Sequence, residues 1–273
     1  MTSYIISSNE GGLSNRLKCI ASCIRMADFN LDNVKTKWRV ISNYKKDKHI
    51  LNCNYTNIIK NPKEYNNQQI KIEYTPERLF IKKEDNIPKN FSKFESNCKK
   101  IFKKTPMGID FEFKRIPDNI KMEYIKAFSK IELCDHLQEK IEKFSKKFTN
   151  KTVSVHIRSW NRPNEETRRS LHFKTKFICE MDKFSNDYNF FLTSDSQKVI
   201  NYFTQKSKLK DRIIIYPRIY NLNKSRDTSD GITEDLIELY LLSKNNYLIG
   251  SHFSTYTEVA WWLGKCSSNL TVI

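Results

Sequence analysis

The sequence predicts an α/β fold built on mostly parallel sheet, in two halves that meet near residue 150. Three observations predict it. The chain opens with a short apolar strand, a glycine turn and a helix, which is how an α/β unit begins. From residue 151 onward, apolar strands alternate with helical patterns at β-α-β spacing. The chain has 273 residues, 38% hydrophobic and 12% aromatic, enough to bury a core and too apolar for a disordered chain. Seven Cys without regular spacing exclude a disulfide scaffold, and seven Pro with six Gly exclude collagen-like material.

Ser3 to Ser7 (SYIIS) reads as the first strand, and Glu10-Gly11-Gly12 as a turn. The next segment, LSNRLKCIASCIRMADF, sets Leu13, Leu17, Ile20, Ala21 and Ile24 at helical spacing. Cys19 and Cys23, four apart on that helix, read as small core residues rather than a metal pair. Residues 34–41 and 49–59 read as strands or short helices. The Lys/Asn-rich stretch from 60 to 105 reads as irregular, with short β-like pieces such as IKIEY. Residues 122–148 are helical in composition, with a break at Ile131–Cys134.

The second half has a clearer rhythm. KTVSVHIR (151–158) is a strand, followed by a polar loop and a helix over 174–184. YNFFLTSD (188–195) is a strand, and SQKVINYFTQKS a helix capped by Asp195 or Ser196. RIIIYP (212–217) is a strand, and TEDLIELYLLSK (233–244) a helix with Thr233 as its cap. NYLIGS (246–251) is a strand, Ser254 or Thr255 opens the last helix, and NLTVI closes as a strand. Trp261 and Trp262 on that helix are expected against the sheet, one of them partly exposed.

Lys and Arg total 48 against 31 Asp and Glu, a net charge of +17, which points to an anionic partner: nucleic acid, membrane surface or nucleotide. The lysines are scattered, and no helix-turn-helix, zinc pattern or basic-aromatic stacking motif appears, so a nucleic-acid-binding module is the lesser reading. Peripheral membrane contact stays open, and oligomeric state is not legible. The start, MTSYIISSNEGG, shows no basic-then-apolar leader, and no long apolar run follows. The expectation is a cytoplasmic protein with reduced thiols and no membrane span.

Four constellations fall at strand ends or loops, where open α/β sheets place ligands. The first is Gly11-Gly12-Leu13-Ser14-Asn15-Arg16. Paired glycines let backbone approach a ligand, the helix start favours phosphate or sugar oxygens, Asn15 suits hydroxyls and Arg16 phosphate. A tight turn before a helix explains the glycines equally well. The second is His156-Ile157-Arg158, with His156 and Arg158 on one strand face. Arg158 suits a diphosphate through its planar fork, or a structural salt bridge; His156 is as well read as a core histidine. The third is the loop Asn161 to His172, where Glu165 and Glu166 are candidate general bases or simply part of a solvated charged loop. The fourth joins Asp235 and Glu238 to Ser251, His252, Ser254 and Thr255. There, hydroxyls at a helix start beyond a parallel strand make an anion site. The five His are spread apart, and Ser194-Asp195-Ser196 lacks the D-x-D pattern that holds a divalent ion beside a diphosphate. No essential metal is expected, because Arg and helix termini can neutralise such a leaving group.

Taken together and in order, GGLSNR, HIRSWN, FLTSDS and DLIELYLLSKNNYLIGSHFSTYTEVAWWLG resemble the motifs of the GT-B-like fucosyltransferase superfamily. That group includes α1,6-, nodulation, protein O- and α1,2-fucosyltransferases. The resemblance is best over 151–264. It implies two Rossmann-like lobes with a central cleft, in a compact GT-B-like form: 1–149 on the acceptor side and 150–273 on the donor side. It further implies a metal-independent inverting glycosyltransferase that moves a sugar from a GDP- or UDP-linked donor to a glycan hydroxyl, with no cofactor. On this reading Arg158 holds the donor β-phosphate, with His156 its partner on the strand. Asp195 and Asp235 are base or ribose contacts. Ser254 and Thr255, beside His252, take the pyrophosphate. Asn15 reaches across from the Gly11-Gly12 loop, and Glu166 matches the spacing of a proposed base, with Glu165 its neighbour. Asn161 stands where the family pattern has an acidic residue. GDP-fucose is therefore joined by UDP-xylose or another UDP-sugar as the expected donor. A non-catalytic carbohydrate-binding relative is a third reading.

Overall fold

The computed structural model describes residues 4–44, 47–66, 69–75, 79–80, 82, 84–85, 116–159, 174–219, 228–251 and 254–273. Two parallel sheets organise them. The first contains β1 (Tyr4–Ser7), β2 (Val34–Thr36), β6 (Lys63–Glu64) and β7 (Ile70–Tyr74), in the order β6-β2-β1-β7. The second contains β9 (Thr152–Ile157), β10 (Asn189–Ser194), β11 (Ile213–Ile214), β12 (Tyr247–Gly250) and β13 (Asn269–Val272), in the order β11-β10-β9-β12-β13. Every pairing within both sheets is parallel. In each, the chain lays its first strand in the middle, builds outward on one side and then returns to the other. This is Rossmann-like winding, and it leaves a crevice at the carboxyl end of the first strand.

Two small antiparallel pairs complete the strands: β3 (Ile41–Tyr44) with β4 (Asp47–Ile50), and β5 (Ile59–Asn61) with β8 (Glu132–Leu133). The helices are α1 (Leu13–Met26), α2 (Asp118–Ser129), α3 (Asp135–Ser145), α4 (Lys174–Met181), α5 (Gln197–Asn201), α6 (Ser229–Leu242) and α7 (Thr255–Leu263). The IKIEY segment, expected within an irregular stretch, is β7, a full partner of β1. Its β-like alternation of Ile, Lys, Ile, Glu and Tyr marks a strand, while its place in the sheet beside β1 is set by long-range pairing. The break expected at Ile131–Cys134 is real: β8 fills it and separates α2 from α3. Thr233 does not cap α6. The helix starts earlier, with Thr228 accepting from the Gly231 N–H at 3.1 Å, while the Thr233 hydroxyl donates to the Ser229 carbonyl within the helix. Gly231 reads as a breaker in sequence, yet a first turn tolerates it. Among the described residues, no helix is long and apolar enough to cross a membrane.

Alternation along the second sheet sorts its side chains. Val153, Val155, Ile157, Phe190, Leu192 and Ile249 pack on one face with Phe177, Met181, Val199, Ile200 and Phe203. The opposite face carries Phe191 and Leu248 into a cluster that also holds Ile5, Leu17, Ile20 and Ile24 of the first half. The core therefore does not divide at residue 150. Phe144 on α3 packs against Phe191 of the second sheet, and α7 packs on α1 and α2. Trp262 is fully buried and stacks on Phe128 of α2, with Tyr124 tilted beside it. Trp261 is buried too, so neither indole is exposed, and the Trp262 indole meets α2 rather than the sheet. Cys19 and Cys23 are buried core thiols, and the described cysteines form no disulfide.

Trp262→Ala should remove about 3–5 kcal/mol of stability, the usual cost of a large aromatic core truncation. Urea unfolding would measure it. A loss under about 1 kcal/mol would mean the indole is not a structural keystone of the α2–α7 junction.

Candidate functional site

The carboxyl end of β9 lies where the strand order of the second sheet reverses. His156 and Arg158 reach it on the same strand. The Arg158 guanidinium pairs with the Asp195 carboxylate at the end of β10. The other Asp195 oxygen accepts from the Ser159 N–H at 2.7 Å. Ser251, just past β12, accepts from the Arg158 N–H at 2.7 Å, and its own N–H meets the His156 carbonyl at 3.1 Å. Ser194 donates to the Ile157 carbonyl at 2.7 Å. Three strand ends thus fix the backbone of Arg158, while its side chain keeps 16% exposure toward the crevice.

The N-terminus of α7 closes the other side. Ser254 is its cap, its hydroxyl facing the Thr257 N–H at 3.5 Å. A helix start carries partial positive charge and N–H groups that no earlier turn can satisfy. Thr257 hydrogen-bonds His156 Nδ1 at 2.8 Å, and the Tyr256 ring lies 4.8 Å from the imidazole. A Cβ on Gly250 would come within 2.0 Å of the Thr257 methyl, so only glycine lets the helix sit this close to β12. Burial pushes the His156 pKa down to about 3; nearby Asp195 opposes the shift and Arg158 adds to it. His156 is a neutral hydrogen-bonding post at physiological pH.

Asp235 sits one turn into α6 and is engaged by Arg218 at 2.6 Å. Arg218 also meets Glu238 at 2.8 Å and Glu234 at 3.5 Å. Burial opposes the Arg218 charge, but Glu238 and Asp235 more than compensate and raise its pKa. Burial pushes Glu238 up to about 8, with Arg218 pulling it back. Tyr256 donates to the Asp235 carbonyl and so links this cluster to His156.

In the first half, the Gly11 N–H bonds Asn9 Oδ1 at 2.8 Å, and a Cβ on Gly11 would crowd both Asn9 and Asn15 at 3.0 Å. Gly12 occupies the cap position of α1 without a side-chain bond to the helix. Asn15 is half-buried in the first turn. Arg16 is buried: its Nε donates to the Gly11 carbonyl at 2.9 Å, and its guanidinium lies 4.4 Å from the Trp38 ring centre. It braces the turn from beneath, and that placement departs from the phosphate contact expected of it.

The structure thus brings together His156, Arg158, Asp195, Ser254 and Thr255 at one crevice, with Asp235 beyond Tyr256. Asp195 does not cap α5, whose cap is Ser196; it pairs with Arg158. Glu165, Glu166, Asn161 and His252 lie outside the described residues. Arg218, Tyr256, Thr257 and Gly250 were not anticipated. Arg218 follows a strand just as Arg158 does, and that signal could have found it. Among the described residues, no group of three or more His, Cys, Asp or Glu is arranged to hold a metal ion.

No protein-family model matches the sequence, and no curated protein sequence matches it. Solved structures do. The α1,6-fucosyltransferase NodZ, in crystals soaked with GDP-fucose, is 18% identical with a TM-score of 0.55, over 96% of this chain and 93% of that one. NodZ comes from Bradyrhizobium. POFUT1 in complex with GDP-fucose is 12% identical with a TM-score of 0.52, over 99% and 98%. A variant of Arabidopsis thaliana FUT1 in complex with GDP is 10% identical with a TM-score of 0.50, over 100% and 70%. The chain has the α/β fold shared by these GT-B-like fucosyltransferases, as its motifs led one to expect.

Gly250→Ala should force Thr257 off β12 and break its bond to His156, at a cost of about 1–3 kcal/mol. Proton NMR of the imidazole checks this. In the unaltered chain His156 should show no inflection between pH 4 and 8, and in the variant its titration should move up toward the ordinary histidine range. Because the folded pKa lies below the unfolded one, the stability linked to His156 is complete above about pH 6.5 and falls as pH drops toward 3.

Proposed function

We propose that this chain is a glycosyltransferase that moves a sugar from a nucleotide-sugar donor to a glycan hydroxyl, with inversion and without an essential metal. One observation carries the reading: Arg158 is fixed by three strand ends beside the N-terminus of α7, at the strand-order reversal of a parallel sheet. That is where such sheets take nucleotides, and both groups attract diphosphate oxygens. Proteins of the same fold have been crystallised with GDP or GDP-fucose. GDP-fucose is therefore the first donor to test, with UDP-xylose and other UDP-sugars next.

The acceptor hydroxyl attacks the anomeric carbon from the face opposite the diphosphate. The new C–O bond forms as the bond to the β-phosphate oxygen breaks, and the hydroxyl proton passes to a carboxylate. The resemblance to the fucosyltransferase motifs makes Glu166, or its neighbour Glu165, the candidate for that carboxylate. Negative charge grows on the departing diphosphate, and Arg158 and the first turn of α7 stabilise it there. Asp195 keeps the Arg158 fork oriented before the donor arrives, which limits reorganisation in the transition state. Asn15, on the first turn of α1, is the candidate contact from the acceptor side.

A thermal-shift panel of GDP- and UDP-sugars should identify the donor, since a ligand at 100 times its Kd stabilises by about 2.7 kcal/mol. A panel in which nothing raises Tm would sink the reading. Arg158→Ala should lower kcat by about 10²–10³ while leaving the circular dichroism spectrum unchanged. Transfer at the unaltered rate would remove Arg158 from the mechanism.

A further inference from the structure

Glu258 lies in the first turn of α7, four residues after the Ser254 cap. Its carboxylate is 2.6 Å from the Lys18 ammonium of α1, and both side chains are almost fully buried, at 2% and 3% exposure. Trp262 Nε1 donates to the same Glu258 oxygen at 3.3 Å. A negative charge at this point suits an empty helix start, because it complements the positive end of the dipole. It works against any anion bound at that end. Lys18, supplied by the other half of the chain, offsets it.

We propose that Glu258 and Lys18 tune diphosphate affinity: Glu258 weakens the hold of α7 on a bound nucleoside diphosphate, and Lys18 limits that weakening. This rests on the glycosyltransferase reading. The pair stands one turn inside α7, beneath the cap, so it acts on the ligand through the field rather than by contact. Charges buried this way are poorly screened and reach further than surface charges. The carboxylates gathered on Arg158 and Arg218 point the same way. The crevice is built to bind a diphosphate without retaining it, so the product can leave after transfer.

The test is calorimetric titration with GDP and guanosine, and with UDP and uridine, on the full chain. Glu258→Gln removes the negative charge beside Lys18. It should strengthen GDP binding relative to guanosine by roughly three- to tenfold, while lowering Tm. Lys18→Met should do the reverse and weaken GDP binding relative to guanosine. The double variant, neutral overall like the native pair, should return the ratio to that of the unaltered chain. A purely structural role cannot produce this pattern, because damage to the fold weakens binding in every variant and does not scale with ligand charge. Either single variant is sufficient if the other fails to fold. An unchanged diphosphate-to-nucleoside ratio in the folded variants would overturn the inference alone. If the unaltered chain binds neither nucleoside diphosphate, the proposed function falls and this inference with it.

Discussion

The fold depends on how α7 is held. Its first turn belongs to the crevice of the second sheet, while its later residues insert among helices of the first half. Trp262 stacks on Phe128, and Glu258 pairs with Lys18 in the same buried layer. A buried ion pair gains little unless its geometry is good, and removing one partner is costly. This pair therefore specifies which helix faces meet more than it adds stability. With α7 fixed on α1, the glycine turn at the start of α1 and the Ser254 cap of α7 are held in a constant relation.

Charge at the crevice differs from charge over the whole chain. The net charge is +17, yet the described arginines at the site are matched by carboxylates: Arg158 by Asp195, and Arg218 by Glu234, Asp235 and Glu238. The surplus lysines thus lie elsewhere. They can raise the arrival rate of any anionic ligand through long-range attraction, a salt-sensitive effect. At the crevice itself, a neutral His156 and a hydroxyl-lined helix start offer hydrogen bonds rather than bare charge.

Much of this was legible in the sequence, for reasons that differ by element. The strands β9, β10 and β12 are fully buried or nearly so; β9 alternates apolar residues with small or polar ones, while β10 and β12 carry short apolar runs, and none contains a charged residue. Arg158 was visible because a charge at the end of such a strand has few explanations. β7 was legible as a β-like piece from its alternation, but its pairing with β1, 66 residues earlier, is not a local signal. Thr257 was obscure because its role is a contact with a residue 101 positions away, which no local pattern encodes. For Asp195 and Arg16, whether a polar group faces a ligand or a neighbour is likewise decided by packing rather than by local sequence. In this fold the Trp38 ring covers one, and the Arg158 fork occupies the other.

The passage of α7 into the first half also constrains the order in which the molecule can be completed. Residues Thr255–Leu263 are made long after α1 and α2, yet they cover apolar surface on both. Until they arrive, that surface has no native partner, and the early half is exposed to non-native association. Packing of the first half is completed only once α7 has been made.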